Sequence, residues 1–440
     1  MAGSVFDSGM YAKLFPTGDV GKLFTDTAEV RAMMLVEGAL AKVQGQAGVI
    51  PEISAQAIHR ASMELQIDPS GLAKATGTNG VCVPALVGAF RELMQAPEHA
   101  QYLHWGATSQ DIMDTGLMLR IKKVLAQYDA RIRTILSGLS VLAEAHVAQP
   151  MAARTYGQFA TPTSFGAVVA AWGWPLLSAL DDLQRLSDAL PVSLSGAAGT
   201  ASELGSDAPA LRAALAEALG LADPKRSWHA DRSIMLQLGG WIARVGDGLG
   251  KMGEDLIAAT QSGVGEVRLS GAGGSSTMPQ KQNPVGPSAL VALNRHIQGL
   301  NGTLHAAGTP RQQRDGSAWF TEWMVVPQLC LALSAALDHA ERLTQSVTPD
   351  GDAMMATLDS AQGLLAAEAL SFALTDRMSR PDAQAQVKDL CKEVIANGTH
   401  LRDAALAKWP DLNAGLFDPT QQMGEAPSEA RAFIAAVKAI

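Results

Sequence analysis

The stretch "DIMDTGLMLRIKKVLAQYDARIRTILSGLSVLAEAHVAQP", Asp111 to Pro150, decides the fold class. Helical periodicity holds from Asp111 nearly to Pro150. At about 1.5 Å per residue that is a rod on the order of 55 Å long. Further long helical patterns cover roughly 162–190, 228–262, 284–306 and 319–346. Several rods of this length are rare in compact single-core domains and ordinary in an elongated bundle. Nearer the start, "TAEVRAMMLVEGALAKVQGQAGVIP" suggests a Thr27 cap and a Gly48/Pro51 stop.

Strand signals are nearly absent. Few runs alternate β-branched and polar residues, and no Asn-Gly turn joins two such runs. The expected fold is therefore all-α. Turn-rich stretches at 105–110, 192–208, 268–284 and 347–352 divide it into a helical domain over 1–110, a long-helix bundle over 111–350 and a small helical domain over 351–440. Within 228–262, Gly239, Gly246, Gly250 and Gly253 fall on one helix face. Each mid-helix glycine costs roughly 1 kcal/mol relative to alanine, which suits a line of close approach by another helix, expected to be part of a core shared between subunits.

Composition narrows the function. The formal net charge of −9 argues against a general nucleic-acid or anionic-membrane surface, and therefore against those partners. An anionic small substrate remains compatible, because a few convergent cations can dominate a cleft. Cys82, Cys330 and Cys391 lie far apart and form no CxxC pair or metal-ligand spacing, so neither zinc nor a disulfide framework is expected. The start, "MAGSVFDSGMYAKLF", lacks a basic region followed by a long apolar stretch, and the run "FGAVVAAWGWPLLSAL" is broken by Pro175. The expectation is a cytoplasmic protein with no membrane span.

Against this apolar background, polar stretches sit at rod ends. "HWGATSQDIMDT" (His104–Thr115) precedes the longest helix, "ARTYGQFATPTSFG" (Ala153–Gly166) follows it, and "GAGGSSTMPQKQNP" (Gly271–Pro284) interrupts two others. Taken singly, each has a plain reading. Thr108, Ser109 and Asp111 suit a helix cap, Thr155 and Gln158 suit loop hydrogen bonds, and Lys281 suits a solvated charge. Antiparallel neighbours put successive loops at opposite ends of a bundle. The first two stretches should then lie about a rod apart in one chain, and a site using both needs more than one subunit.

Taken together, the stretches carry a resemblance. Gly274, Ser275, Ser276, Met278, Pro279, Lys281 and Asn283 match the GSSxMPxKxN loop of the fumarase/aspartase/argininosuccinate lyase superfamily. "HWGATSQDIMDT" is similar to its HxGxTSxDxxDT stretch and "RTYGQFATP" to its RTHxQxAxP stretch. The resemblance implies three mostly helical domains and a homotetramer with a twenty-helix core. It also implies active sites built from three subunits, with no metal and no organic cofactor. Members break or form a C–N or C–O bond β to a carboxylate, with a proton moving at the α carbon. The dianionic intermediate needs preorganised donors and cations. Lys281 and Asn283, with loop amides, suit that task, and Ser275 matches the catalytic base.

Tyr156 departs from the pattern, since most relatives carry an acid histidine there. A carboxylate leaves without a proton, because its conjugate acid has a pKa of about 4. An aromatic at this place resembles the bacterial carboxymuconate cycloisomerase branch, as do "SWHADRS", "QRDGSAWFTEW" and "RPDAQAQV". That branch adds a carboxylate oxygen across a conjugated double bond of a tricarboxylate. The substrate contacts this implies are His104, Arg154, Lys281 and Arg314, with Thr108, Ser109, Thr155, Gln158 and Asn283 as donors. His229 and Arg232 are added candidates, although an arginine near a helix start often just pairs with a local carboxylate. An adenylosuccinate- or argininosuccinate-type lyase would want histidine at 156. A non-catalytic structural descendant would show decay at Ser275 or Lys281, and both are intact.

Overall fold

A computed structural model describes residues 3–271, 273–274, 277–278 and 281–440. The long helices are Ser109–Ala145, Phe165–Asp188, Ser233–Ala259, Val285–Ala306 and Gly316–Ser346, each within a few residues of its expected span. The all-α class holds. Asp26–Gln46 is also helical, but its cap is Thr25 rather than Thr27: the Thr25 hydroxyl accepts from the Ala28 N–H at 3.2 Å. Thr27 lies inside the first turn, where a cap is no longer possible.

The chain forms two compact units. The first comprises 1–131, 179–246 and 293–337. Its core joins Val36, Leu40, Ile58, Leu86 and Phe90, all essentially without exposed surface. Burying a side chain of this kind is worth about 1.5–3 kcal/mol. Tyr128 is also buried there, donating to the Cys330 carbonyl at 2.6 Å and stacking on Trp241. The second unit comprises 132–178, 247–292 and 338–440. In it, Trp172 donates to Asp255 at 2.8 Å, and the Phe433 ring lies where a side chain on Gly173 would have to go. A separate cluster around Leu370, Leu374, Val387, Val394 and Leu401 fills its C-terminal part.

The glycine stripe marks a close helix approach, and the approaching helix belongs to the same chain. In the first unit a Cβ on Gly239 would stand 2.7 Å from Asn301 Oδ1, and one on Gly246 3.1 Å from Asn294 Oδ1. In the second, a Cβ on Gly253 would meet the Pro287 carbonyl oxygen at 2.8 Å. The positions retreat along Val285–Ala306 as they advance along Ser233–Ala259, so the two helices run antiparallel.

Strands are more frequent than expected. Pro150–Thr155 and Gln158–Ser164 form an antiparallel hairpin, Val267–Leu269 pairs with Val347–Pro349, and Gly273–Gly274 pairs with Gln282–Asn283. The first hairpin turns on Tyr156 and Gly157, whose φ angles of 52° and 73° are left-handed. A two-residue turn with both φ positive matches strand twist, and Asn-Gly is only its commonest sequence. Here Tyr-Gly fills that turn in place of Asn-Gly.

Gly316–Ser346 is long and apolar enough to cross a membrane, but 61% of its most apolar window is buried inside the fold, as befits a core helix.

Candidate active site

In the first unit the His104–Thr115 stretch is wired to distant parts of the chain. Asp111 lies in the first turn of the Ser109–Ala145 helix and is fully buried. Its Oδ2 accepts from the Thr108 N–H at 3.1 Å, the expected cap contact, and from the Gly196 N–H at 2.9 Å. Its Oδ1 accepts from the Ser195 N–H, the Ser193 hydroxyl and His229 Nε2, each at 2.9 Å. A buried carboxylate with this many donors is well compensated, and removing it would orphan all of them. Asp111 thus clamps the 193–196 segment to the helix start.

One turn further, Asp114 takes the Arg232 guanidinium at 2.7 and 3.3 Å, and Glu322 takes its other side at 2.8 and 2.5 Å. The Trp228 ring lies 4.6 Å from the same guanidinium, and Trp319 donates to Asp114 at 3.1 Å. Burial opposes the Arg232 charge, but the two carboxylates outweigh it and hold its pKa above the usual value. Burial pushes the Glu322 carboxyl up, with Arg232 pulling it down and the Asp114 charge adding to the rise. Arg232 was expected among substrate contacts; both edges of its fork are taken by protein carboxylates. His229 is likewise buried, with Nε2 committed to Asp111 and Ser193.

Arg314 is held beside this network. Its Nε donates to Gln110 Oε1 at 2.9 Å, and its Nη2 to the Thr108 hydroxyl at 3.2 Å and the Ala197 carbonyl at 3.1 Å. Gln110 in turn donates to Asp114 and to the His229 carbonyl, each at 3.2 Å. His104 sits in a left-handed backbone conformation, φ 65°, with Nδ1 2.6 Å from Glu37 Oε1. Burial alone would lower the His104 pKa; the Glu37 hydrogen bond and charge, aided by Asp111, raise it. Ser109 opens the helix next to Thr108, half-buried. Thr108, Ser109, His104 and Arg314 are thereby gathered in one unit.

The second unit gathers the rest. Arg154 makes a bidentate pair with the fully buried Glu266, both bonds 2.9 Å, and its guanidinium lies 5.3 Å from the Phe159 ring. Thr155 and Gln158 are the last pair of the hairpin, both exposed, and Tyr156 at the tip is wholly in solvent. Lys281 and Asn283 line an open cleft of about 880 Å³, together with Thr260, Gln261, Arg268 and Asp350. Lys281 donates its N–H to the Met278 carbonyl at 3.0 Å, closing a turn within the loop. Ser275, the expected base, lies outside the described residues, as do Ser276 and Pro279.

Sequence reasoning missed Gln110, Asp114, Glu37, Glu266 and Glu322, which orient the candidate cations. Gln110 and Asp114 lie inside the quoted "HWGATSQDIMDT" and were legible there as polar residues on a helix start. Glu322 lies inside the quoted "QRDGSAWFTEW", whereas Glu37 and Glu266 are acids in helical or loop sequence, and only folding supplies the partners of all three. Among the described residues no group of three or more His, Cys, Asp or Glu could hold a metal ion.

Comparison with known proteins fits this geometry. A lyase family profile matches residues 16–299. The 3-carboxy-cis,cis-muconate cycloisomerase of Pseudomonas putida is 34% identical over 94% of the chain and 99% of its own length. A nitrosuccinate lyase of Streptomyces davaonensis is 32% identical over 96% of the chain and 94% of its own. The crystal structure of the 3-carboxy-cis,cis-muconate lactonizing enzyme from Pseudomonas putida superposes with a TM-score of 0.91, covering 98% of this chain and 99% of that one at 31% identity. The chain belongs to the lyase family, within the fumarase/aspartase/argininosuccinate lyase superfamily that its loop resembles.

Proposed function

We propose that the protein is a 3-carboxy-cis,cis-muconate cycloisomerase, converting its substrate to 4-carboxymuconolactone in protocatechuate breakdown. The observation that carries this reading is Tyr156, an aromatic at the hairpin tip where a lyase with a poor leaving group wants an imidazole. The relatives of the same length and activity support it.

In the lactonising direction a carboxylate oxygen adds to the carbon β to another carboxylate. The C–O bond forms, the π bond breaks, and charge moves onto the neighbouring carboxylate as an aci-dianion. Ser275 then delivers a proton to the α carbon, so one proton is consumed and one negative charge disappears. Lys281, Asn283 and the loop amides hold the charge as it develops, which is where electrostatic stabilisation has its largest effect. Arg314, Thr108, Ser109 and His104 orient the remaining carboxylates; Arg154, Thr155 and Gln158 do the same from the hairpin. Asp111, Asp114 and Glu322 keep His229 and Arg232 in place as supports. The working form is a cytoplasmic homotetramer in which different copies supply the His104–Thr115 stretch, the hairpin and the loop.

A second reading has the same support from Tyr156. Nitrite also leaves without a proton, so elimination from nitrosuccinate is compatible with the site. Following ultraviolet loss of 3-carboxymuconate separates them. Rapid loss by the wild type and a fall of about 10²–10⁴-fold in Ser275→Ala are expected. No loss with 3-carboxymuconate, but turnover of nitrosuccinate, would transfer the assignment to the lyase reading.

A further inference from the structure

Between Leu103 and Gly106 the chain makes a bend held by three other segments. Arg91 donates to the Ala100 carbonyl at 3.2 Å and to the Leu103 carbonyl at 2.9 Å. Gln44 donates to the Trp105 carbonyl at 2.7 Å. Gly106 has a left-handed φ of 72°, and a Cβ there would stand 3.0 Å from the Glu203 carbonyl oxygen. His104 shares the left-handed region, which non-glycine residues seldom occupy and which persists where the surroundings over-determine it. The bend delivers its imidazole to Glu37, two turns before Gln44 on the same helix face.

The Glu37 side chain has no exposed surface, and His104 is its one hydrogen-bond partner among the described residues. Its Oε2 is buried without a partner there. A buried carboxylate so sparsely bonded keeps its charge by holding a cation against it. The 2.6 Å separation is short even for a charge-assisted bond. Burial is the largest single influence on the His104 pKa and lowers it. The Glu37 hydrogen bond and charge, with Asp111 from the Ser109–Ala145 helix, outweigh burial and the opposing Arg91 from Val83–Met94, and leave it raised. With Nδ1–H given to Glu37, the ring meets a ligand through Nε2, which has no partner among the described residues, and 19% of the side chain stays exposed. In the neutral ring that nitrogen is a bare lone pair, which repels an anion; in the imidazolium it is a donor, which attracts one.

We propose that Glu37 is a positioning residue for substrate binding, keeping His104 as an imidazolium whose Nε2–H takes one substrate carboxylate; this rests on the reading of the substrate as a polycarboxylate. Affinity then follows the His104 proton, full below its folded midpoint and falling as pH rises through it. Arg314 supplies a charge that no working pH removes, so the two cations differ in kind.

Two measurements on wild type, Glu37→Gln and His104→Asn test this. The first is NMR titration of the histidine Cε1–H resonances, with His104 identified by the signal missing from His104→Asn. Its midpoint should fall in Glu37→Gln. In wild type it should rise when tricarballylate saturates the protein, since an anion at Nε2–H favours the charged ring. The second is the pH dependence of KM for 3-carboxymuconate. At pH 7 Glu37→Gln should raise KM at least about threefold with a smaller change in kcat, and the gap should narrow toward pH 5 and toward pH 9, where the ring carries the same charge in both proteins. His104→Asn should show a raised KM that varies less with pH than that of wild type. A KM penalty in Glu37→Gln equal at every pH, an unmoved midpoint in that variant, or a wild-type midpoint indifferent to tricarballylate would overturn the proposal. Should Glu37→Gln not fold, the wild-type response to tricarballylate still decides it. No turnover of 3-carboxymuconate, with both midpoint shifts observed, would overturn the reaction assignment and uphold the pair.

Discussion

At Asp111 five donors converge on a carboxylate with no exposed surface, whereas at Tyr156 an entire aromatic ring stands in solvent on a two-residue turn. The first region is finished within one copy of the chain. Most of its polar groups satisfy one another, with His229 Nδ1 and Glu37 Oε2 buried without a partner among the described residues, and its candidate contacts, Thr108 and Arg314, are pinned by neighbours. The second is held by backbone pairing and presents Thr155, Tyr156 and Gln158 to solvent, while Arg154 is paired with Glu266 of its own unit. A prebuilt wall and a projecting tip are what the proposed site shared between copies requires of each region.

That contrast can be broken most sharply by mixing. Arg314→Ala disables the wall and Ser275→Ala the loop, so each homomer should be nearly inactive. Co-refolded mixtures should regain activity far above either parent if copies share sites. A mixture no more active than its parents would return both regions to one chain's site.

A large effect on stability is expected at the wall. Arg232→Leu leaves Asp114 and Glu322 buried without their cation, and losing one partner of a buried pair typically costs about 3–5 kcal/mol. Urea unfolding would read this, and a change below about 1 kcal/mol would deny the wall its rigidity. Gly253→Ala tests the helix seam in the other unit. Its methyl would meet the Pro287 carbonyl at 2.8 Å, and overpacking minus the gain in helix propensity should leave a loss of about 1–2 kcal/mol.

His104 sharpens the wall through pH. Its folded pKa is raised by Glu37 and Asp111, against the effect of burial. The stabilisation is therefore fully present below the unfolded value of about 6.5 and disappears as pH rises through the folded value. His104→Gln should cost on the order of 1 kcal/mol at pH 6 and less at pH 9. A loss that grows with pH would contradict the pairing with Glu37. The smallest effect belongs to the tip. Tyr156→Asn keeps a residue suited to positive φ, so stability should change by less than about 0.5 kcal/mol while turnover falls. Unaltered turnover would remove the ring from the reaction.

Much of this was legible in the sequence, for a physical reason. Long helices write their period into every turn, so the span beginning at Ser109 was readable to within two residues of its first helical residue. Loops that carry chemistry use side chains that packing does not need, so Lys281, Arg314 and Thr108 stood out. The hairpin did not, because a Tyr-Gly turn is rare and "MAARTYGQFATP" alternates weakly. Nor could sequence show that Arg154 and Arg232 are already paired. Glu266 lies 112 residues from Arg154, and Glu322 lies 90 from Arg232. Such partnerships are products of topology. The seam glycines illustrate the intermediate case: their spacing announced a close neighbour but not that the neighbour was the chain's own helix.

The turn that carries Tyr156 has a consequence for how activity can be altered. Because strand pairing and Gly157 hold residue 156 at the hairpin tip, exchanging that one side chain changes whether an acid is offered there without redesigning its holder. A lineage could pass between leaving groups that require a proton and those that do not by a single codon change, with the scaffold indifferent to the outcome.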